Sequence, residues 1–355
     1  MSPMLRTSFI RNVGQLTMTQ TKSSFYQTAL RQELLNAAKL YKPNKLLINS
    51  CKHGHRMGIR DQRCRCGQCL SPEHQETNIG TGLSAATAEA LASGDAAAII
   101  LMGKSQAEAQ AMIDDINHKH PKAKLIFISV DFGRLASVRE AAEAIRKLEV
   151  PIDGFVGFPT VMAGPWMKTE DGIESHFQCN YLSNFLLINL VVHLMPAGSR
   201  VVIVCSSIRP EAPPPAWDDP NFADGKKYHP LDAYALSIFA NVQMVKCLAI
   251  TGCGRSMATF SVNTGNTKPS LQTVASPEQS ARFQVGEDLP LLLQQAPKSA
   301  SQGIATILRA LLDPDISDNC QILALPKIDF PAGEENGRAL WTQSEQLVGQ
   351  EFKRL

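Results

Sequence analysis

What the sequence lacks sets the first limits on what the protein does. With 35 Lys and Arg against 33 Asp and Glu, the 355-residue chain has a formal net charge of only +2. No large field of one sign is therefore available to hold a nucleic acid or an anionic membrane. No apolar run reaches the ~18 residues that a spanning helix requires. The longest, Phe185–Ala197, is broken by Asn189 and His193, so no membrane span is expected. No secretory signal pattern is present. Asp and Glu are missing from residues 1–32, which hold Arg6, Arg11, Lys22 and Arg31 among frequent Ser and Thr. That composition fits a mitochondrial transit peptide. The simpler reading is a flexible tail over 1–27 of a cytoplasmic protein. There is no internal repeat and no sign of a second core, so one domain over 28–355 is expected.

Disulfides are not expected either. Of the nine Cys, four (Cys51, Cys64, Cys66 and Cys69) fall in one short segment. The other five sit in apolar stretches, as reduced core thiols do.

What is present is a regular alternation of short apolar runs and helical periodicities. Lys45–Ile48, Ala96–Met102, Lys124–Val130, Gly154–Gly157, Arg200–Cys205, Ala258–Val262 and Gln321–Leu325 read as buried strands. Between and around them, Thr28–Tyr41, Ser105–His118, Ser137–Leu148, a long region around Asn180, Tyr234–Ile250, Ser299–Leu312 and Gly337–Phe352 read as helices. Such alternation predicts an α/β fold: a single doubly wound sheet, mostly parallel, in three α/β/α layers with right-handed crossovers.

A Gly-rich turn, Gly80-Thr-Gly82, opens the Ala-rich helix that runs to Ala92. In a dinucleotide fold such a turn follows the first strand at once, so that pyrophosphate meets the backbone N–H groups at the helix start. Here residues 51 to 81, 31 in all, separate Ser50 from Gly82. Structureless loops beyond ~12–15 residues are uncommon inside a compact domain. Residues 51–78 are thus expected to be an insertion into the phosphate loop, or translated intron sequence that a spliced message would omit. The segment also carries Cys51-x-His53-x-His55, Cys64-x-Cys66-x-x-Cys69 and His74, enough soft ligands for one tetrahedral zinc ion. Two paired ligand sets at zinc-finger spacing are absent, so no metal site is assigned.

Several stretches resemble the short-chain dehydrogenase/reductase family, in its fungal-type, retinol-dehydrogenase/WW-oxidoreductase-like branch. They are Ser206-Ser207 at a strand end, Tyr234-Ala-Leu-Ser-Ile238 on the next helix, Thr169–Asn180, Asp218–Gly225 and Gly265–Thr273. This resemblance covers roughly Thr28 to Phe352 without the insertion, and implies a Rossmann-type sheet. It also implies an NADP-dependent interconversion of a carbonyl and an alcohol on a small or medium apolar metabolite, in secondary metabolism. Small-molecule substrates, no nucleic-acid partner and homo-oligomers go with such a protein.

The catalytic residues implied are Asn180, Ser207 and Tyr234. Tyr234 would pass the proton, Ser207 would hydrogen-bond the same oxygen, and Asn180 would hold a relay water. Cofactor contacts would come from Gly80, Gly82, Lys104, Asp131, Asn180, Tyr234 and Thr267. Gly103-Lys104-Ser105 at the end of the second strand favours a 2′-phosphate, hence NADP, and is also compatible with an ordinary exposed lysine. Asp131 fits an adenine contact and an N-cap alike.

The family pattern is eroded at defined places. Its last turn Gly is Ser84 and its first is Ser50, and the Asn-Asn-Ala-Gly stretch reads Gly157-Phe-Pro-Thr160. The Lys of Tyr-x-x-x-Lys is Ile238. A free phenol has pKa ~10 and needs a nearby cation for acid–base work near neutrality. Lys246 is twelve residues beyond Tyr234, ~18 Å along a helix axis, and cannot stand in. The alternative expectation is an impaired or repurposed member of the family.

Overall fold

Runs of Val, Ile and Leu too short to make helices become strands when both of their faces can be covered. In the computed structural model this happens seven times. The residues described are 45–50, 82–159, 161–162, 164–206, 217–251, 257–265, 267, 298–314, 316, 321–323 and 334–352. The strands are β1 (Lys45–Ser50), β2 (Ala98–Gly103), β3 (Leu125–Ser129), β4 (Gly154–Phe158), β5 (Arg200–Cys205), β6 (Ala258–Asn263) and β7 (Gln321–Leu323). They form one sheet in the order β3-β2-β1-β4-β5-β6-β7. Every pairing is parallel, so the described sheet is wholly rather than mostly so.

The helices are α1 (Gly82–Ser93), α2 (Gln106–Lys119), α3 (Leu135–Arg146), α4 (Ser183–Val191), α5 (Pro230–Thr251), α6 (Ala300–Leu312) and α7 (Glu334–Val348). A π-helical turn, Phe177–Leu182, leads into α4. Side chains alternate along each strand with period two. Leu47, Ile100, Phe155, Val201 and Ile203 therefore join the core under α3, α4, α5 and α7. Leu46, Ile48, Ile99, Leu101, Val156, Val202 and Val204 join the opposite core, under α1, α2 and α6. Each fully buried side chain of this kind contributes about 1.5–3 kcal/mol, and the three-layer architecture follows.

α5 is apolar and long enough, by composition and length alone, to cross a membrane, but 83% of its apolar window is buried inside the protein. It is the core helix on one face of the sheet. α7 ends at Val348 rather than at Phe352. Gly349 takes φ +66° there, and the N–H of Gln350 turns back to the carbonyl of Glu345, closing the helix. The tail 1–27, the helix expected over 28–41, the 51–78 segment, Gly80, Thr160 and Ser207 lie outside the described residues.

Candidate active site and nucleotide cleft

The strand order reverses between β1 and β4: from β1 the chain proceeds to β2 on one side, and β4 lies on the other. In an open α/β sheet the crevice at the strands' carboxyl ends, at this reversal, is where ligands bind. α1 starts beside it. Its first residue, Gly82, has φ +78°, and no described atom lies within 4 Å of where a β-carbon would stand. The left-handed backbone needs glycine, and no described residue crowds the helix start on that side.

Lys104, just past β2, and Asp131, just past β3, meet at 2.7 Å between Nζ and Oδ2. The lysine side chain is 44% exposed and the aspartate 18%. Such a pair is worth at most about 1 kcal/mol, so the ammonium can be shared with an incoming anion at little cost. Asp131 Oδ1 also accepts from the N–H of Gly133. It therefore shapes the turn before α3, while the cap position itself belongs to Arg134.

Tyr234, in the second turn of α5, is brought to the end of β5. Its phenol lies near enough to Ser206, the residue directly after the strand, for that hydroxyl to favour the ionised form. Tyr234 is 9% exposed. Burial, foremost, and then the nearby Cys205 thiol push the phenol above its ordinary range, and Ser206 offsets part of that. Ile238, one turn further along α5, is fully buried within the apolar cluster beneath the sheet. No ammonium is supplied from that position. Lys226 and Lys227 are exposed on the loop before α5.

Asn180 sits in the π-helical turn, where the N–H of Ser183 reaches five residues back to the carbonyl of Gln178. Its amide clamps Val161 from both sides: Oδ1 accepts from the Val161 N–H at 2.9 Å, and Nδ2 donates to the Val161 carbonyl at 2.7 Å. Nδ2 also donates to Ser237 Oγ at 3.0 Å, and Ser237 donates to the Tyr234 carbonyl at 2.7 Å. Asn180 and Tyr234 are thus joined through Ser237. The Asn180 backbone carbonyl accepts from the Asn184 and Asn241 side-chain amides at 2.8 and 2.9 Å. A carbonyl offers two lone pairs, and these amides take both.

A second buried polar group lies just before the π-helical turn. The Glu174 carboxylate accepts from the Phe177 N–H and from Ser175, and lies 2.7 Å from His176 Nδ1. His176 Nε2 accepts from the Gly164 N–H at 3.3 Å, so the ring proton lies on Nδ1 and is donated to Glu174. Tyr228 donates to the Gly164 carbonyl at 2.6 Å. Asn221 ties the 217–229 strap to the same region. Its side chain accepts from the Glu174 N–H and donates to the Gly172 carbonyl, and its own carbonyl accepts from Trp166 Nε1. Trp217 anchors the start of this strap. It stacks on Phe239 of α5, with rings 5.7 Å apart, and donates to the Asn336 carbonyl in α7.

Of the expected residues, Asn180 and Tyr234 come together, Gly82 opens α1, Lys104 and Asp131 pair with each other, and Thr267 is buried beyond β6. Sequence reasoning named Ser206 only as the strand end beside Ser207, and missed Ser237, Asn184 and Asn241. Ser237 and Asn241 lie three and seven residues past Tyr234, on its own helical face, and that spacing was the available signal.

The family profile described as short chain dehydrogenase matches residues 77–217. The Oxidoreductase calI of Penicillium decumbens is 30% identical over 282 residues, covering 72% of this chain and 81% of that protein. Retinol dehydrogenase 13 of Mus musculus is 29% identical over 279 residues, 77% and 82% of the two chains. The WW domain-containing oxidoreductase of Homo sapiens is 26% identical over 287 residues; the match takes in 76% of this chain but only 66% of that longer protein. Among solved structures, a Mycobacterium Paratuberculosis protein superimposes with a TM-score of 0.60 at 20% identity, covering 88% of this chain and 96% of its own. A short chain dehydrogenase from Burkholderia cenocepacia in complex with NADP does so with a TM-score of 0.50 at 19% identity, covering 69% and 92%. Parallel order, a helix start at the reversal of the sheet, a phenol on the helix after β5 and these matches lead to one conclusion: the chain belongs to the short-chain dehydrogenase/reductase family, in the branch of the retinol dehydrogenases and WW domain-containing oxidoreductases.

Proposed function

We propose that the protein is an NADP-linked oxidoreductase that interconverts a carbonyl and an alcohol on a small or medium apolar molecule. The observation that carries this reading is the placement of the Tyr234 phenol beside Ser206 and Cys205 at the carboxyl end of β5, one strand beyond the reversal of the sheet. The chain's residues fit a dinucleotide. Gly82 leaves room at the start of α1, Lys104 offers a cation at the end of β2 for a 2′-phosphate, and Asp131 and Thr267 flank the remaining length. A bound nicotinamide would supply or take up the hydride.

In reduction, Tyr234 gives its proton to the carbonyl oxygen while Ser206 donates to the same atom and keeps it oriented. Ser207, named from family resemblance, is the other candidate for that second role. Asn180 holds the backbone after β4 and, through Ser237, the helix that carries Tyr234. If a neighbouring ammonium normally lowers such a phenol by ~1–3 units, its absence at Ile238 costs up to ~4 kcal/mol. That is roughly a thousandfold in rate, so the proposed enzyme is slow.

Titration with NADPH, followed by turnover of apolar ketones and aldehydes, tests the reading. Binding, with turnover abolished by Tyr234→Phe, is the expected result. No binding at millimolar NADPH removes the reading altogether. The burial of Ile238 in the apolar core favours a second reading, a repurposed nucleotide-binding protein. Binding with no turnover of any carbonyl substrate would select it.

A further inference from the structure

Lys298 has an unusual place for a lysine. It lies directly before Ser299, the N-cap of α6, whose side chain and that of Gln302 close a complete capping box. A cation at a helix amino terminus opposes the helix dipole. The side chain is also half-buried, and burial holds its ammonium below the ordinary lysine range. No carboxylate among the described residues pairs with it. Position, burial and the lack of a carboxylate partner among the described residues each cost stability, so nothing in the described fold explains the charge.

The surroundings supply an explanation. Lys298 bridges to Thr267 in parallel register, at the carboxyl end of the sheet beyond β6. Its Nζ stands 2.9 Å from the place a β-carbon on Gly265 would take, so the absence of a side chain at 265 makes room for the ammonium. Gly303, one turn into α6, is wedged between Thr267 and Leu83: a β-carbon there would lie 2.4 Å from Thr267 Cγ2 and 2.8 Å from Leu83 Cδ2. Leu83 belongs to the first turn of α1. The packing of α6 therefore carries Lys298 to the same rim as the helix start at Gly82.

We propose that Lys298 is a pyrophosphate-binding residue of the nucleotide cleft, its ammonium neutralising the diphosphate that lies at the start of α1. The assignment rests on the nucleotide reading above. It also accounts for the eroded glycine turn. Where side chains in place of glycine hold the backbone N–H groups away from the phosphates, a direct cation makes up the difference.

Calorimetric titration of the full-length protein with two probes, NADPH and adenosine 2′-monophosphate, separates the possibilities, because the second carries the 2′-phosphate but no diphosphate. Lys298→Met is expected to weaken NADPH about tenfold to a hundredfold while leaving adenosine 2′-monophosphate unchanged. Lys298→Arg should keep most of the NADPH affinity. Gly265→Ala, which displaces the ammonium without removing it, should reproduce the Met variant's selective loss. Unchanged NADPH binding by Lys298→Met, or an equal loss of both probes, overturns the assignment and leaves the nucleotide reading intact. Failure of the wild-type protein to bind either probe defeats the nucleotide reading, and this assignment with it.

Discussion

At position 238 a single side chain separates two kinds of protein. Ile238 is fully buried where the family places the cation that tunes the phenol one turn before it. Replacing it with lysine puts an ammonium into an apolar cluster, which costs stability, yet also places a charge beside Tyr234. Ile238→Lys is expected to lower the melting temperature by several degrees and to raise carbonyl turnover at least tenfold. Calorimetry and single-turnover NADPH oxidation measure the two effects. Turnover that does not rise would show that more than the lysine is missing. The pH profile should show the same cause. Alcohol oxidation needs the phenolate, and the folded protein holds the phenol above its ordinary value. The wild-type oxidation rate should thus still be climbing at pH 10, whereas in Ile238→Lys it should level off at a lower pH. Tyr234 and Ile238 were legible from spacing alone because a helix fixes what lies four residues away. Ser206 and Ser207 both follow the strand end, and spacing alone does not say which hydroxyl serves the phenol.

Among the elements, the π-helical turn around Asn180 joins more of the site than any strand does. One side chain serves both backbone groups of Val161 as well as Ser237. Asn180→Leu keeps the volume but leaves those buried groups without partners, and an expected loss of about 3–5 kcal/mol would show in urea denaturation. Asn241→Ala removes only one donor to the Asn180 carbonyl and one to the Ser237 carbonyl, so its loss should be smaller, about 1–2 kcal/mol. The seven strands were readable because burial on both faces writes itself as short unbroken apolar runs. The π turn left no such mark: Phe177–Leu182 has a composition that suits an α-helix equally well, and one extra residue per turn does not disturb so short a pattern. The partners Val161, Ser237 and Asn241 come from distant segments, and periodicity carries no record of which segments meet across the chain.

For the molecule as a whole, several acidic side chains are buried in their neutral forms. Burial pushes the Cys205 thiol from 9.0 up to about 12, and raises the phenols of Tyr181, Tyr228 and Tyr234 as well. In the unfolded chain these groups ionise at their ordinary values, so alkali favours unfolding. Stability should be level below pH 9 and fall steadily between pH 9 and 12, with Cys205 alone accounting for about 4 kcal/mol at the upper end. Urea midpoints across that interval measure the decline, and Cys205→Ala should make it shallower. The opposite rim of the sheet has a different duty. There the Asp153 carboxylate accepts from the Lys45 N–H, its carbonyl accepts from the Arg200 N–H, and the Arg200 guanidinium donates to the Ala310 and Ile316 carbonyls. Since all the strands travel in one direction, the joints that keep the body upright gather at one shore and the reactive groups at the other. Mutation can wear away the second shore for a long time without loosening the first, and a lineage of this design can set down its original trade while its architecture endures.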